Sequence, residues 1–421
     1  ESGEGGAISG MKNNINVFGS TFINTTALGE SGEGGAISGI DVPSNIVVFD
    51  SIFKNCQATN GGSDICSDGG VTLLSNDYDG KSTFKSTEVV GNPIIDFNGT
   101  FSELQYRIDS TPVNGVLNLV NKKYTANERV TTININKNIT INGQGAILDA
   151  DKRFRIMNIN HGVSVSLNNI TFINGKAKSS GDDYGGAIYN EGNLSIMDCQ
   201  FKNNIASNAA AIYVKAGSVT VINSTFTNTT ADYNGGAIYT NTDLSIYNSN
   251  FIGVTAGQYG DAIYIKSIVK VYNSNFINTT ARWYGGAILA TNNAIVNISK
   301  SNFINATSEG GGGAIDSSGE LNVKDSSFIN NKANFNGGAI YSGNINTITV
   351  SNSTFKDNSA EINGSSIYTV GYLNVKDSTF NSPNVNGTAV IYIKSYYDIN
   401  LTNNSITSNL IAIYNNGGHI I

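Results

Sequence analysis

The chain has 421 residues, only 14% of them charged, and a net charge of −7 at pH 7. Phosphate binding needs clustered Lys and Arg, so this composition excludes nucleic acid and an anionic membrane surface as expected partners. The apolar runs are shorter than the roughly 20 residues that span a bilayer. We therefore expect no membrane insertion within this sequence.

Residues 1–98 contain two copies of a Gly-Gly-Ala-Ile element, which begin at Gly5 and Gly34. Strand-like runs surround both copies, and we interpret 1–98 as the C-terminal part of a first β-helix. Three cysteines give no disulfide framework. Cys56 and Cys66 are nevertheless close enough in sequence to form a disulfide where the compartment is oxidising.

A single helical segment follows, near residues 101–109. Thr100 and Glu103 have the spacing of a capping box, and so do Ser102 and Gln105. Apolar residues then recur at helical spacing: Phe101, Leu104 and Ile108. The open end of a solenoid exposes unpaired backbone groups, so we expect this helix to cap a second β-helix over residues 99–421.

From Thr171 onward one motif recurs about nine times. Its Phe column comprises Phe172, Phe201, Phe226, Phe251, Phe276, Phe303, Phe328, Phe355 and Phe380. After a first step of 29 residues, every step is 25 or 27 residues. A fixed period of this length predicts a stacked solenoid in which each repeat buries its apolar face against its neighbours. The expected fold is all-β, a right-handed parallel β-helix with rungs of about 25 residues.

Each rung is predicted from its alternation of apolar and polar residues. Leu244 and Ile246 alternate with polar residues, the alternation skips one position, and Phe251 resumes it. Asn or Asp usually occupies the skipped position, and these residues tolerate left-handed backbone. We expect two short strands joined by a bend, and a third strand at the Gly-Gly-Ala-Ile element. The loop before that element is expected to carry all the length variation.

The third strand places an Ile column beside a mostly Tyr column. Tyr239 and Tyr264 belong to the second column, which also contains Asp316. An unpaired Asp is costly in a dry core, so we expect this column to face outward as an exposed tyrosine ladder. The alternative is that the ladder only pads a sheet against a neighbouring loop.

The loop before the Gly-Gly element is the candidate binding surface. Aromatic rings cover the apolar faces of sugars, and polar neighbours bind the hydroxyl groups. The candidates are Tyr184, Asp232, Tyr233, Tyr259, Arg282, Trp283 and Tyr284, together with Tyr239 and Tyr264 of the ladder. Phe335 lies in the same loop. The alternative is that these rings fold back over their own rungs.

A polysaccharide lyase or hydrolase is the less favoured hypothesis. Hydrolysis needs two carboxylates at a defined separation, and a lyase needs a base together with acids that bind a cation. The acids that could stack in the loop are Asp182, Asp183, Asp232 and Asp261. Most positions in their column are Asn, Gly or Ser, and we expect no catalytic residues. No metal-ligand spacing occurs, and neither a metal nor a cofactor is expected.

Asn-x-Ser/Thr sequons are frequent, and Asn98 and Asn386 are the candidate glycosylation sites. Asn228, Asn278 and Asn305 share one repeat column. In that column we favour an amide ladder along the stack over glycans.

The combination of Gly-Gly-Ala-Ile with Phe-x-x-Asn or Phe-x-Asn resembles the repeats of chlamydial polymorphic outer-membrane proteins. The Asn- and Thr-rich form is similar to adhesin-like surface proteins of methanogenic archaea. The resemblance covers residues 5–56 and roughly 165–415. It implies a right-handed parallel β-helix at the cell surface, with adhesion as the role and no shared catalytic residues.

The expected function is therefore an extracellular adhesin-like protein that binds glycans or proteins of partner cells. Self-association, end to end or side by side, is a further expectation. A passive stalk or wall component is the alternative. Since the sequence starts and stops within repeats, we expect the anchor to lie in further parts of the protein.

Overall fold

The computed structural model describes residues 6–417, apart from 12–14, 28–33, 41–45, 50, 55, 60–61, 63, 75–76, 79–83, 91–98, 128–129, 179–182, 261, 383–384 and 386. Each named strand pairing is parallel and mostly joins strands one repeat apart. The fold is a parallel β-solenoid of about 14 turns, with rungs of about 25 residues. The chain falls into two compact units, Glu1–Tyr106 and Arg107–Ile421.

The first unit stacks its two Gly-Gly-Ala-Ile copies directly. Ile8 pairs with Ile37, and the Phe22 and Phe53 rings stack with centroids 4.9 Å apart. The strands are Ile8–Met11, Ile15–Phe18, Thr21–Ile23, Thr26–Ala27, Ile37–Ile40, Ile46–Phe49, Ile52–Lys54, Gln57–Ala58, Ile65–Leu74, Asp77–Tyr78 and Phe84–Val90. The predicted boundary near residue 98 lies outside the described residues.

The predicted Cys56–Cys66 disulfide is not formed. Neither cysteine takes part in a disulfide. Cys66 lies in a strand beside Ser38, whereas the Cys56 thiol accepts a hydrogen bond from Thr25 at 3.0 Å. The solenoid register, which proximity in sequence does not reveal, gives the two cysteines different neighbours.

The second unit has three parallel sheets. Sheet 1 contains two strands from most rungs: Gly115–Asn118, Lys123–Thr125, Ile139–Asp149, Ser164–Ile173, Asn193–Met197, Gln200–Lys202, Val219–Ile222, Thr225–Thr227, Leu244–Tyr247, Asn250–Ile252, Ile268–Tyr272, Asn275–Ile277, Ile295–Ser299, Asn302–Ile304, Glu320–Lys324, Ser327–Ile329, Thr347–Ser351, Thr354–Lys356, Tyr372–Lys376, Thr379–Ser382, Ile399–Thr402 and Ser405–Ser408. Sheet 2 contains the Gly-Gly-Ala-Ile strands: Ile133–Ile135, Met157–Ile159, Ile188–Asn190, Ile212–Val214, Ile238–Thr240, Ile263–Ile265, Ile288–Ala290, Ile315–Ser317, Ile340–Ser342, Ile367–Thr369, Ala389–Ile393 and Ile411–Asn415. Sheet 3 contains two-residue strands: Lys176–Ala177, Ile205–Ala206, Thr230–Ala231, Thr255–Ala256, Thr280–Ala281, Thr307–Ser308, Lys332–Ala333 and Ser359–Ala360.

Residues with left-handed backbone mark three corners of a typical rung. The first corner is the predicted one, and its φ angles are 45° to 54° at Asn169, Asp198, Asn223, Asn248, Asn273, Lys300, Asp325, Asn352 and Asp377. The second corner follows each Phe by two residues, at Asn174, Asn203, Asn228, Gly253, Asn278, Asn305, Asn330 and Asp357. The third corner is the first residue of the Gly-Gly element, at Gly185, Ala209, Gly235, Gly260, Gly285, Gly312, Gly337 and Gly364. The sequence predicted only the first corner.

The Phe column is a continuous stack in the core, as predicted. From Phe172 to Phe380 the rings are fully buried, their centroids are 4.6 to 4.8 Å apart and their planes are within 9° of parallel. This separation equals the spacing of paired strands. The Ile column of sheet 2, represented by Ile263 and Ile288, is also fully buried.

A buried serine ladder lies next to the first corner. The Ser249 N–H donates to Ser274 Oγ at 3.1 Å, and the Ser274 N–H donates to Ser301 Oγ at 3.2 Å. Each hydroxyl donates in turn to a carbonyl two residues earlier, as Ser274 does to Tyr272 at 2.9 Å. Cys199 occupies the first position of this ladder and is buried.

Helix α1 spans Phe101–Ser110 and agrees with the predicted helix within one residue. Thr100 Oγ1 accepts from the Glu103 N–H at 3.3 Å, and the Glu103 carboxylate accepts from the Gly99 N–H at 2.7 Å. The Arg107 guanidinium donates to the Asn118 carbonyl at 3.2 Å. This bond attaches the C-terminal half of α1 to the first strand of the second unit. That α1 caps the second β-helix stays a prediction.

The prediction that the loop before the third corner carries all the length variation is wrong. This loop has seven residues at 178–184 and two at 207–208, but it keeps three residues in six successive rungs, from Ala231 to Gly364. Within those six rungs the turn between sheets 2 and 1 varies from two to four residues, with four at 291–294 and at 343–346. These two turns account for the repeats of 27 residues.

Candidate functional site

The candidate surface is the set of three-residue loops between sheet 3 and the third corner, here called the outer loops. They are 232–234, 257–259, 282–284, 309–311, 334–336 and 361–363. Their backbones extend the parallel hydrogen bonding of the sheets. The Gln258 N–H donates to the Tyr233 carbonyl and the Trp283 N–H donates to the Gln258 carbonyl, both at 2.8 Å. The loops are therefore held in register rather than left irregular.

The middle positions of the outer loops form a column that we call the outer stripe. It comprises Tyr233, Gln258, Trp283, Gly310, Phe335 and Ile362. Three rings stand out from the surface, since Tyr233 is 48% exposed, Trp283 45% and Phe335 52%. Of the sequence-predicted aromatics, Tyr233 and Trp283 lie where a partner can reach them. Ile362 is also exposed. It was not among the residues predicted from the sequence, because that prediction considered only aromatic and charged side chains.

The third positions of the loops place their rings inward. Tyr184, from the preceding loop, packs on Tyr213 with ring centroids 4.4 Å apart. Tyr259 stacks on Tyr284 at 6.2 Å, and Tyr284 reaches Tyr341 at 6.0 Å. Tyr259 and Tyr284, both half-buried, therefore follow the alternative, in which loop rings cover the sheet, whereas Tyr184 is still 38% exposed.

The sheet 2 tyrosines form two stacks that the loop rings partly cover. The first stack runs from Tyr189 to Tyr264, and the second runs from Tyr341 to Tyr414. Tyr239 is only 8% exposed, and burial raises its pKa to about 12. The predicted ladder is exposed only in part, because loop side chains and neighbouring rings occlude its faces: Tyr414 is 38% exposed and Tyr368 is buried in the second stack, and Tyr239 is buried in the first. Tyr264 is half-buried in the same stack.

Basic side chains lie over the first stack. The Arg155 guanidinium is 5.0 Å from the centre of the Tyr189 ring, and the Lys266 ammonium is 5.1 Å from that of Tyr239. Arg155 also donates to the carbonyls of Tyr184 and Gly185, at 2.7 and 3.0 Å. Burial lowers the pKa of Arg155 to about 10. Arg155 thus satisfies backbone carbonyls at the start of this stack.

Asp316 interrupts the tyrosine column and is buried, contrary to the prediction. It is 7% exposed, and burial raises its pKa to about 8. Its strand neighbours in the column are Leu289 and Tyr341. The Tyr284 ring crosses this gap to reach Tyr341. A loop ring therefore takes the place that a tyrosine at 316 would supply.

Charged groups border the outer stripe in opposite pairs. Lys178 binds Asp232 at 2.6 Å, and Arg282 is 4.0 Å from Glu309. The Arg282 guanidinium also lies 5.7 Å from the centre of the Trp283 ring. Among the acids weighed for catalysis, Asp232 is thus paired with a lysine, and Asp183 accepts from Ser207 at 3.3 Å. Asp182 and Asp261 lie outside the described residues.

The predicted amide ladder forms between two of its rungs. The Asn305 amide donates to the Asn278 side-chain oxygen at 3.0 Å. Gly253 occupies the same corner between Asn228 and Asn278, so the column is not continuous. The sequons at Asn98 and Asn386 lie outside the described residues.

A second surface feature, missed in the sequence, lies at the turns of variable length. The two long turns border a groove of about 440 Å³. Its lining residues are Asn292, Ser318, Gly343, Asn344, Ile345 and Val370. The Asn344 amide donates to the Asn292 side-chain oxygen at 2.9 Å, across the short turn between them. Only stacked rungs bring these two turns together.

Within the described part of the chain, no helix is both long and apolar enough to cross a membrane. In the same residues, no three His, Cys, Asp or Glu side chains converge as a metal site would require. No protein-family model matches the chain, and neither does any curated protein. Among solved structures, it is similar to the A-module of the Azotobacter vinelandii mannuronan C-5 epimerase AlgE4, with 11% identity, coverage of 97% of this chain and 91% of that chain, and a TM-score of 0.17.

Proposed function

We propose that this protein is an extracellular adhesin-like protein whose outer loops bind glycans or proteins on partner cells. The observation that carries this proposal is the outer stripe, in which Tyr233, Trp283 and Phe335 each expose about half of their side chains. Exposed apolar patches with polar rims often mark interaction sites on soluble proteins. Here the rim is supplied by Asp232 and Arg282.

The backbone supports recognition because it holds the main chain of the outer loops in register before a ligand arrives. Trp283 is hydrogen-bonded to Gln258 at 2.8 Å, and Ile362 is hydrogen-bonded to Phe335 at 2.9 Å. A preorganised surface loses little conformational entropy on binding. The resemblance of the repeats to archaeal adhesin-like proteins and chlamydial surface proteins favours the same role. Weak single sites would gain strength from many surface copies.

The experiment measures attachment of the full chain to a glycan array and to intact cells. Tyr233→Ala and Trp283→Ala are compared with Tyr272→Ala, which removes an exposed tyrosine from sheet 1. We expect all three variants to fold normally and only the first two to lose attachment. The physical reason is that only those two remove a ring from the outer stripe.

Other outcomes select the competing hypotheses. If both outer-stripe variants attach at full strength, the rings are structural and the protein is a passive stalk. Release of reducing ends from polysaccharides, abolished by Asp232→Asn, would instead support an enzyme, because hydrolysis needs paired carboxyl groups.

A further inference from the structure

We propose that the outer stripe binds a single extended chain of a neutral β-1,4-linked polysaccharide, aligned with the solenoid axis. This inference rests on the proposed function and names the class of ligand for the same site. Its basis is the spacing of the three exposed rings, the low surface between them and the charge balance at their border.

The rings are separated by equal steps along the axis. Tyr233 and Trp283 are two rungs apart, as are Trp283 and Phe335, and the intervening residues are Gln258 and Gly310. Paired strands are about 4.8 Å apart, so two rungs span about 9.6 Å. An extended β-1,4-linked chain repeats every two sugars over nearly the same distance. Each ring would therefore meet the same face of every second sugar.

Between Trp283 and Phe335 the outer stripe has no side chain, because the backbone leaves no space for one at Gly310. A Cβ on Gly310 would be 1.9 Å from the Trp283 carbonyl oxygen and 3.1 Å from the Tyr284 ring. No side chain fits there without movement of the main chain. A ligand that runs straight from Trp283 to Phe335 thus meets no side chain at position 310.

The charges beside the stripe favour a neutral polymer. Lys178 is paired with Asp232, and Arg282 lies close to Glu309. An anionic polysaccharide would need uncompensated basic groups, whereas the whole chain has a net charge of −7. Exposed amide and charged side chains next to the rings can instead form hydrogen bonds with sugar hydroxyls.

The test is calorimetric titration of the full chain with soluble hexasaccharides of β-1,4-linked glucose, mannose or N-acetylglucosamine. Three rings two rungs apart span about five sugars at this spacing. We expect at least one of these hexasaccharides to bind about tenfold more tightly than its trisaccharide, since shorter chains reach fewer rings. Maltohexaose, whose α-1,4 linkages curve the chain, and a β-1,4-linked polyuronate should bind more weakly.

A matched variant tests the spacing itself. Gln258→Trp combined with Trp283→Gln keeps three rings and one glutamine, but changes the ring intervals from two and two rungs to one and three. We expect this double variant to fold normally and to bind the hexasaccharide as weakly as Trp283→Ala. Ile362→Ala, one rung beyond Phe335, should have little effect.

The outcomes separate this inference from the proposed function. Attachment to other glycans or to proteins that requires Trp283, without binding of any β-1,4 hexasaccharide, would overturn the inference and leave the adhesin proposal intact. Full hexasaccharide binding by the double variant would also overturn it, because spacing would then be irrelevant. Absence of binding to every glycan and cell would overturn both.

Discussion

The core Phe column and the outer stripe belong to the same repeat, yet they are filled differently. All nine rungs from Phe172 to Phe380 keep phenylalanine at a fully buried position. The outer stripe changes residue at every rung, and its rings are about half exposed. Backbone hydrogen bonds between rungs hold both columns in register. Uniform columns stabilise the solenoid, whereas varied columns can distinguish one partner from another.

The largest effect should come from Phe276→Ala in a middle rung. We expect the free energy of unfolding to fall by about 3–5 kcal/mol, because the change removes a large buried side chain and leaves a cavity. Trp283→Ala is the control from the outer stripe and should cost less than about 0.5 kcal/mol. Urea unfolding of the full chain measures both. A loss below about 1 kcal/mol for Phe276→Ala would contradict the burial of this column.

The tyrosine column of sheet 2 is neither fully buried nor fully exposed. The pH dependence of stability tests whether Asp316, which interrupts this column, is buried. Its pKa is raised from 3.8 to about 8, so the folded chain holds a proton that the unfolded chain releases between these values. Stability should be fully retained below about pH 4 and fall as pH rises to about 8, by roughly 1.4 kcal/mol per pH unit. Asp316→Asn should remove this slope. Unfolding curves of the two proteins at pH 5 and 8 check the sign, and equal slopes would show that Asp316 is solvated.

Two buried hydroxyl side chains, Ser274 and Thr279, should contribute differently to the free energy of unfolding. Ser274→Ala should lower the free energy of unfolding by about 1–3 kcal/mol, since the buried Ser249 N–H loses its acceptor. Thr279 is fully buried and its hydroxyl has no hydrogen-bond partner. Val254 occupies the equivalent position one rung earlier. Thr279→Val should therefore be neutral or slightly stabilising, and comparable losses in the two variants would contradict this distinction.

Substitutions at the third corner test the strain of its left-handed backbone. Gly285 has a φ of 67°, and a Cβ there would be 2.4 Å from the Ile288 carbonyl oxygen. Gly285→Ala should cost about 1–2 kcal/mol. Ala209 is the alanine at this corner, with a φ of 54°, so Ala209→Gly should gain up to about 1 kcal/mol. Thermal unfolding measures both changes. If Gly285→Ala were stabilising, an alanine at this left-handed corner would not be strained.

The sequence by itself determined the period, the core columns and the first corner. These features depend on neighbours within one rung: Leu244 and Ile246 alternate with polar residues, and Asn248 tolerates left-handed backbone. Helix α1 was likewise predictable, because the Thr100 and Glu103 cap is local. Exposure of Tyr233 and Trp283 also agreed with the sequence-based expectation.

Only the tertiary structure decided which loop rings cover the sheet and which remain available. Tyr284 turns inward, and its ring lies 6.0 Å from that of Tyr341, two rungs further along the column that contains Asp316. The 9.6 Å spacing of the outer stripe likewise exists only once the rungs are stacked about 4.8 Å apart. The rings in these contacts belong to residues one or more rungs apart. The register in which the rungs stack brings them together, and no local sequence pattern encodes that register.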